Sequence, residues 1–310
     1  MKKIRTLDAV AIYLMALTVQ MAFSLVLDSI SSGDTYIYLA YTLPQVAYIG
    51  VLLIYKTTLR IPFGVIITKK SRIKPIAIIA VIAITIGVFM QNLFLAQLFA
   101  WLMEAIGVEM TVTLPALETA PQILLALLLI AVLPAIGEEA VFRGAFVNSI
   151  GEESGTFMAI VLSGAIFAFS HLNTAQLVHQ FILGMLLAYI VIRSGNIIYA
   201  VIVHFLNNVM AIVIPIIAPS FNNLSVFSGA HFGILAAISV AGMCILYPTL
   251  RWFISITNGS QSWRGSGLIS YMKLAWSEFD KTRKCHISLY ILTFSLGAVC
   301  VLLTLLSLMQ

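Results

Sequence analysis

Residues 138 to 143 read Glu-Glu-Ala-Val-Phe-Arg, two adjacent carboxylates and an arginine that close the apolar run 121–136. Glu139 and Arg143 are four apart, on one helical face and in the favourable order for an ion pair. Glu138 lies about 100° further round the helix, so the spacing predicts that the two carboxylates serve different partners. Without a local cation, Glu138 is a candidate general base for water. His204 and Asn208 are also four apart on one face, and together they can polarise a carbonyl and stabilise the oxyanion formed when water attacks it. His171 is a third candidate. A base, a histidine and an oxyanion-stabilising pair describe a hydrolase site.

These groups stand in a chain that tolerates few charges. It has 310 residues, of which 61% are hydrophobic and 9% charged, and a mean hydropathy of +1.05. Such a composition predicts a polytopic, all-α membrane protein. Apolar runs fall near 9–27, 36–54, 75–103, 121–147, 155–171, 175–192, 196–216, 228–250 and 287–309, giving eight to nine transmembrane helices with the polar cluster in the central ones. A charge at the centre of a bilayer costs about 2.5–3.5 kcal/mol even on lenient scales, so an intramembrane ionisable cluster is a functional site by default. The stretch 137–208 holds nearly all the polar residues within spans. The first three spans, the eighth and the ninth are expected to carry almost none that demands explanation.

If the fourth and fifth spans turn near Ser154, Glu138 and His171 lie at similar depth, about 24 Å from the turn at 1.5 Å rise per residue. Neighbouring helices pack about 8–10 Å apart, so the two side chains can meet. His204 comes early in its span. Together these positions predict a shallow site facing the cytoplasm. His179, beside Gln180, reads as an ordinary interhelical hydrogen-bonding group.

Lys2, Lys3 and Arg5, the basic loop 56–74 and the basic segment 251–286 fall on one side of a nine-span count, while Asp28, Asp34, Glu104, Glu109 and Glu118 fall on the other. The positive-inside rule predicts a multi-pass cell-membrane protein with a cytoplasmic N-terminus. The net charge of +5 is accounted for by loops facing an anionic leaflet, and no nucleic-acid partner is expected. Residues 1–310 read as one integral membrane domain, with 121–215 as its catalytic core and 251–286 as an amphipathic cytoplasmic segment. Cys244, Cys285 and Cys300 imply no disulfide framework.

Glu138-Glu139-Ala-Val-Phe-Arg143-Gly144, Phe167-Ala-Phe-Ser-His171 and His204-Phe-Leu-Asn-Asn208 resemble, in order, the EExxxR, FxxxH and HxxxN motifs of the CPBP family. That family comprises type II CAAX prenyl endopeptidases and bacteriocin-processing or immunity relatives. The resemblance implies an intramembrane endopeptidase in which Glu138 and His171 activate water and His204 and Asn208 form the oxyanion hole. Glu139 and Arg143 would then hold the bundle in register. It implies no required cofactor. Two histidines and a glutamate are a usable Zn²⁺ ligand set, but the oxyanion role of Asn208 favours the metal-free reading. Expected partners are the lipid bilayer and a peptide or membrane-protein substrate, with maturation of a secreted peptide or bacteriocin immunity favoured over a prenylated CAAX substrate. Ala188, where many relatives carry a small-residue repeat with Gly184, changes packing only. The alternative is a non-catalytic immunity or peptide-export accessory protein. A proton-coupled transporter is disfavoured because no internal repeat is visible.

Overall fold

The computed structural model describes residues 4–30, 32–62, 64, 71–108, 113–219 and 229–257. The elements among them are all helical: α1 (Thr6–Ile30), α2 (Gly33–Leu59), α3 (Pro75–Glu104), a continuous irregular helix α4 (120–154), α5 (Thr156–Ser170), α6 (Leu177–Ser194), α7 (Ile197–Ile217) and α8 (Gly229–Thr257). Each of the first eight apolar runs coincides with one helix. Seven helices are long and apolar enough to cross a membrane. The exception is α5, whose 15 residues extend only about 22 Å. The run 287–309, the segment 251–286 beyond Thr257, Cys285 and Cys300 lie outside the described residues.

Local chemistry fixes the helix ends. Pro75 opens α3, where its missing N–H costs nothing. Gly195, at φ 66°, closes α6 in the left-handed region, and the Asn196 side chain then accepts from the Ile198 N–H to cap α7. Gly155, at φ 82°, joins α4 to α5, a conformation that favours glycine.

Packing uses small residues where backbones approach. A Cβ on Gly164 would stand 2.9 Å from the Phe181 carbonyl, and one on Gly184 would stand 2.9 Å from the Gly164 Cα. Thus α5 and α6 cross in direct contact. Gly87 and Gly242 play the same part between α3 and α8, where an added Cβ would lie 2.9 and 2.8 Å from the facing glycine's carbonyl. Such close crossings suit a bilayer, where dispersion and interhelical hydrogen bonds drive association. Leu25, Ile54, Ile79 and Val240 remain exposed, as lipid-facing side chains do.

Cross-links between helix ends sort the bundle into two ends. Tyr55 on α2 donates to Asp8 on α1, Lys74 Nζ donates to the Ile256 carbonyl, the Lys74 N–H donates to the Tyr199 hydroxyl, and Ser71 donates to the Ser194 carbonyl. The start of α1, the end of α2, the start of α3, the end of α6, the start of α7 and the end of α8 therefore share one end. Arg5, Lys56, Arg60, Arg72, Lys74, Arg193 and Arg251 lie toward it, and we call it the basic end. Asp34, Glu104 and Glu118 lie toward the other. Of the described Lys and Arg residues, Arg143 alone belongs to neither.

Candidate active site

The irregularity of α4 positions the chemistry. The turns Leu127–Val132 and Ala140–Val147 are π-helical, flanking the α-helical Leu133–Glu139 that presents both carboxylates. Pro134 cannot bring an N–H to the Ile130 carbonyl four residues before it. Asn208 on α7 supplies a donor instead, its Nδ2 lying 3.2 Å from that oxygen. π-Turns of this kind gather at functional sites.

Glu139 and Arg143 form the expected pair, with Nη1 donating to Oε1 at 2.9 Å and both side chains wholly buried. Arg143 does more: its Nη2 donates to the Gly184 carbonyl at 3.0 Å, tying α4 to α6. Its guanidinium lies 4.4 Å from the centroid of the Phe167 ring, a cation–π contact in a desolvated setting. The same Glu139 Oε1 lies 2.9 Å from His204 Nδ1. With a carboxylate as partner, Nδ1 carries the proton.

The second ring nitrogen, His204 Nε2, faces Glu138 Oε2 at 3.8 Å. The adjacent carboxylates therefore do share a partner, contrary to the expectation from their angular separation. An imidazole presents nitrogens on two sides of its ring, and one carboxylate approaches each. Glu138 Oε1 accepts from Gln45 Nε2 at 2.6 Å, while Glu138 Oε2 is buried without a hydrogen-bond partner. Gln45 reaches it because Gly137 leaves room for α2: a Cβ there would meet Gln45 Oε1 at 2.9 Å.

His171 caps the end of α5. Its Nδ1 donates to the Phe167 carbonyl at 2.8 Å, one of the last-turn carbonyls a helix leaves without backbone donors. That assignment leaves Nε2 as the acceptor nitrogen. The neighbouring Ser170 carbonyl accepts from Gln20 on α1, and Gln20 in turn accepts from the Tyr48 hydroxyl on α2. Phe167 sits between the histidines, its ring centroid 4.9 Å from that of His171 and 5.6 Å from that of His204. No hydrogen bond joins Glu138 to His171 among the described contacts, but both line one cavity of about 910 Å³, together with His204 and Asn208.

The first two spans are thus not chemically silent. Gln20, Gln45 and Tyr48 are buried and hold the parts of the site. Polar residues at single positions in apolar helices carry the only signal for them in the sequence. His179 lines the same cavity, with Gln180 beside it. Because α5 is short, its end at His171 lies inside the bundle rather than at the far surface. The cavity runs from Glu138 and His204 past Tyr36 and Ile37 at the start of α2, Thr113 and Leu114 before α4, and Ile214 and Pro215 at the end of α7. It therefore extends away from the basic end, not toward it as the shallow cytoplasmic reading required.

Three motifs in order, assembled around one cavity, invite comparison with known families. Residues 120–210 match the model of the type II CAAX prenyl endopeptidase Rce1-like family. The match supports the resemblance to the CPBP family. The Rce1-like segment takes in α4 to α6 and the first part of α7, and so includes Glu138, Glu139, Arg143, His171, His204 and Asn208. Its helices α4, α6 and α7 are among the seven of spanning length. The protein is a multi-pass membrane protein, and its residues 120–210 are similar to a protease family. No curated protein and no solved structure matches the chain.

Zinc was the one metal with a plausible ligand set here. Among the described residues no three His, Cys, Asp or Glu side chains are arranged to hold a metal ion. His204 Nδ1 and His171 Nδ1 are engaged by Glu139 and by the Phe167 carbonyl. Those contacts occupy one nitrogen of each ring and leave Nε2 of each uncommitted by them.

Proposed function

We propose that the protein is an intramembrane endopeptidase that hydrolyses a peptide bond of a peptide or membrane-associated substrate with water activated by Glu138 and His171. The observation that carries this reading is the hydrogen-bonded chain Arg143–Glu139–His204, whose far nitrogen Nε2 stands 3.8 Å from Glu138 Oε2, a buried carboxylate oxygen without a hydrogen-bond partner. Gln45 fixes one oxygen of Glu138, leaving the other to accept a proton from water. His171, with Nδ1 bound to its own helix, offers Nε2 to the same water.

Attack of that water on the scissile carbonyl makes a tetrahedral oxyanion. His204, donating through Nδ1 to Glu139, stabilises the developing negative charge through Nε2 whenever that nitrogen also carries a proton. Asn208 spends one amide hydrogen on the Ile130 carbonyl, which aims the other at the same point. Glu138 then returns the proton to the leaving amine. Glu139 and Arg143 do not touch the substrate in this scheme; they hold His204 in the required orientation.

The test is whether purified protein in nanodiscs cleaves peptides. Incubation with an unbiased peptide mixture, read by mass spectrometry, should yield products with the wild type and none with Glu138→Gln. Products from both would remove Glu138 as the base.

A further inference from the structure

We propose that this site is loaded from the extracytoplasmic side of the membrane, and that its substrate is an extended peptide segment with apolar residues flanking the scissile bond, presented after it has crossed the bilayer. The proposal rests on the peptidase reading above and adds the side of access and the class of substrate.

Charge asymmetry sets the orientation. Seven described cations, Arg5, Lys56, Arg60, Arg72, Lys74, Arg193 and Arg251, lie toward one end, and the hydrogen bonds Tyr55–Asp8, Lys74–Ile256 and Ser71–Ser194 show that their helix ends are neighbours. The opposite end carries Asp34, Glu104 and Glu118 without a described Lys or Arg. Positively charged ends are retained in the cytoplasm, so the acidic end faces out.

The cavity follows the same axis. His204 is the eighth residue of α7, counted from the basic end, so it stands about 12 Å into that helix at 1.5 Å per residue. From there the lining continues along α7 to Ile214 and Pro215, back along α2 to Tyr36, and out to Thr113 and Leu114. The second half of α4 and the start of α5 close the other direction: Phe142, Phe146, Ile150, Ala159 and Leu162 are buried there as one apolar cluster. A peptide reaching Glu138 from the basic end would have to displace that cluster. From the acidic end it meets Tyr36, Ile37, Tyr41, Leu114 and Ile214, surfaces suited to apolar and aromatic side chains.

Sealed membrane vesicles test this without reading catalysis. In the full chain with Cys244, Cys285 and Cys300 replaced by serine, Thr113→Cys and Lys56→Cys are each exposed to a membrane-impermeant maleimide. Right-side-out vesicles should label Thr113→Cys and spare Lys56→Cys, and inside-out vesicles should do the reverse; the opposite pattern overturns the proposal. An epitope inserted after Gly107, where an added Cβ would meet nothing within 4 Å, gives a second readout with native cysteines. Antibody binding to right-side-out vesicles is expected, and binding only to inside-out vesicles would overturn the orientation. A reversed orientation leaves the peptidase reading standing, whereas loss of that reading shows as cleavage by Glu138→Gln.

Discussion

Glu139 holds His204 through Nδ1 at 2.9 Å with both side chains essentially out of contact with solvent. That bond turns a motif residue expected only to keep the bundle in register into the group that orients the proposed oxyanion donor. It also divides the ionisable cluster in two. Arg143, Glu139 and His204 form a buried hydrogen-bonded chain, and Glu138 is left to face the cavity.

The division predicts opposite phenotypes for neighbouring residues. Removing one partner of a buried ion pair leaves the other charge uncompensated, at a cost of about 3–5 kcal/mol. Arg143→Ala should therefore lower the thermal midpoint in detergent markedly and reduce the amount of folded protein. Glu138→Gln keeps the Gln45 contact within reach and should leave the midpoint nearly unchanged while abolishing cleavage. Equal destabilisation of both variants would contradict the division.

Gln45 is predicted to act on rate. It donates to Glu138 at 2.6 Å from a separate helix, and a misplacement of about 1 Å can cost on the order of 10²-fold. Gln45→Ala should reduce kcat with KM little altered, and Gln45→Asn should recover part of the loss. A change confined to KM would mean that Gln45 contacts substrate instead of positioning the base.

Asn208 has two duties that a double variant separates. Asn208→Ala withdraws a donor from the Ile130 carbonyl, worth about 1 kcal/mol net, or up to about 3 if the oxygen stays buried and unsatisfied. It also removes an oxyanion donor, worth about 10²–10³-fold in kcat. Adding Pro134→Ala restores a backbone N–H near that carbonyl. Thermal stability should rise again in the double variant while activity stays low; recovery of both would assign Asn208 a purely structural part.

Gly184→Ala would push a methyl group to 2.9 Å from the Gly164 Cα and 3.1 Å from the Phe167 ring. Overpacking of this kind costs about 1–3 kcal/mol. Because Phe167 separates the two histidines, cleavage should fall further than stability. Thermal melts and cleavage assays on the same preparation check this, and an unchanged rate would show that the α5–α6 crossing does not position His171.

Much of this was legible in the chain because a bilayer makes apolar runs conspicuous: each of the first eight runs falls on one of the helices α1 to α8, with ends that differ by up to seven residues. The i, i+4 pairing of Glu139 with Arg143 was readable for the same reason, since helix geometry is local. What was not readable depends on neighbours far apart in sequence. Gln45 meets Glu138 across 93 residues and Gln20 meets the Ser170 carbonyl across 150, and only its polarity within an apolar helix marks either glutamine. The shared use of His204 by two adjacent carboxylates was missed because angular separation on a helix does not account for a partner with two nitrogens. The direction of the cavity is not legible from the apolar runs because α5 reads as a span, whereas it ends at the depth of the site.

The most direct test of the central claim is a comparison of the peptides released by cells carrying the wild-type chain or Glu138→Gln, with both proteins shown to be equally abundant and folded in the membrane. The account predicts at least one peptide that is released with the wild type and absent with Glu138→Gln. Identical peptide profiles, together with cleavage by the purified variant, would contradict it.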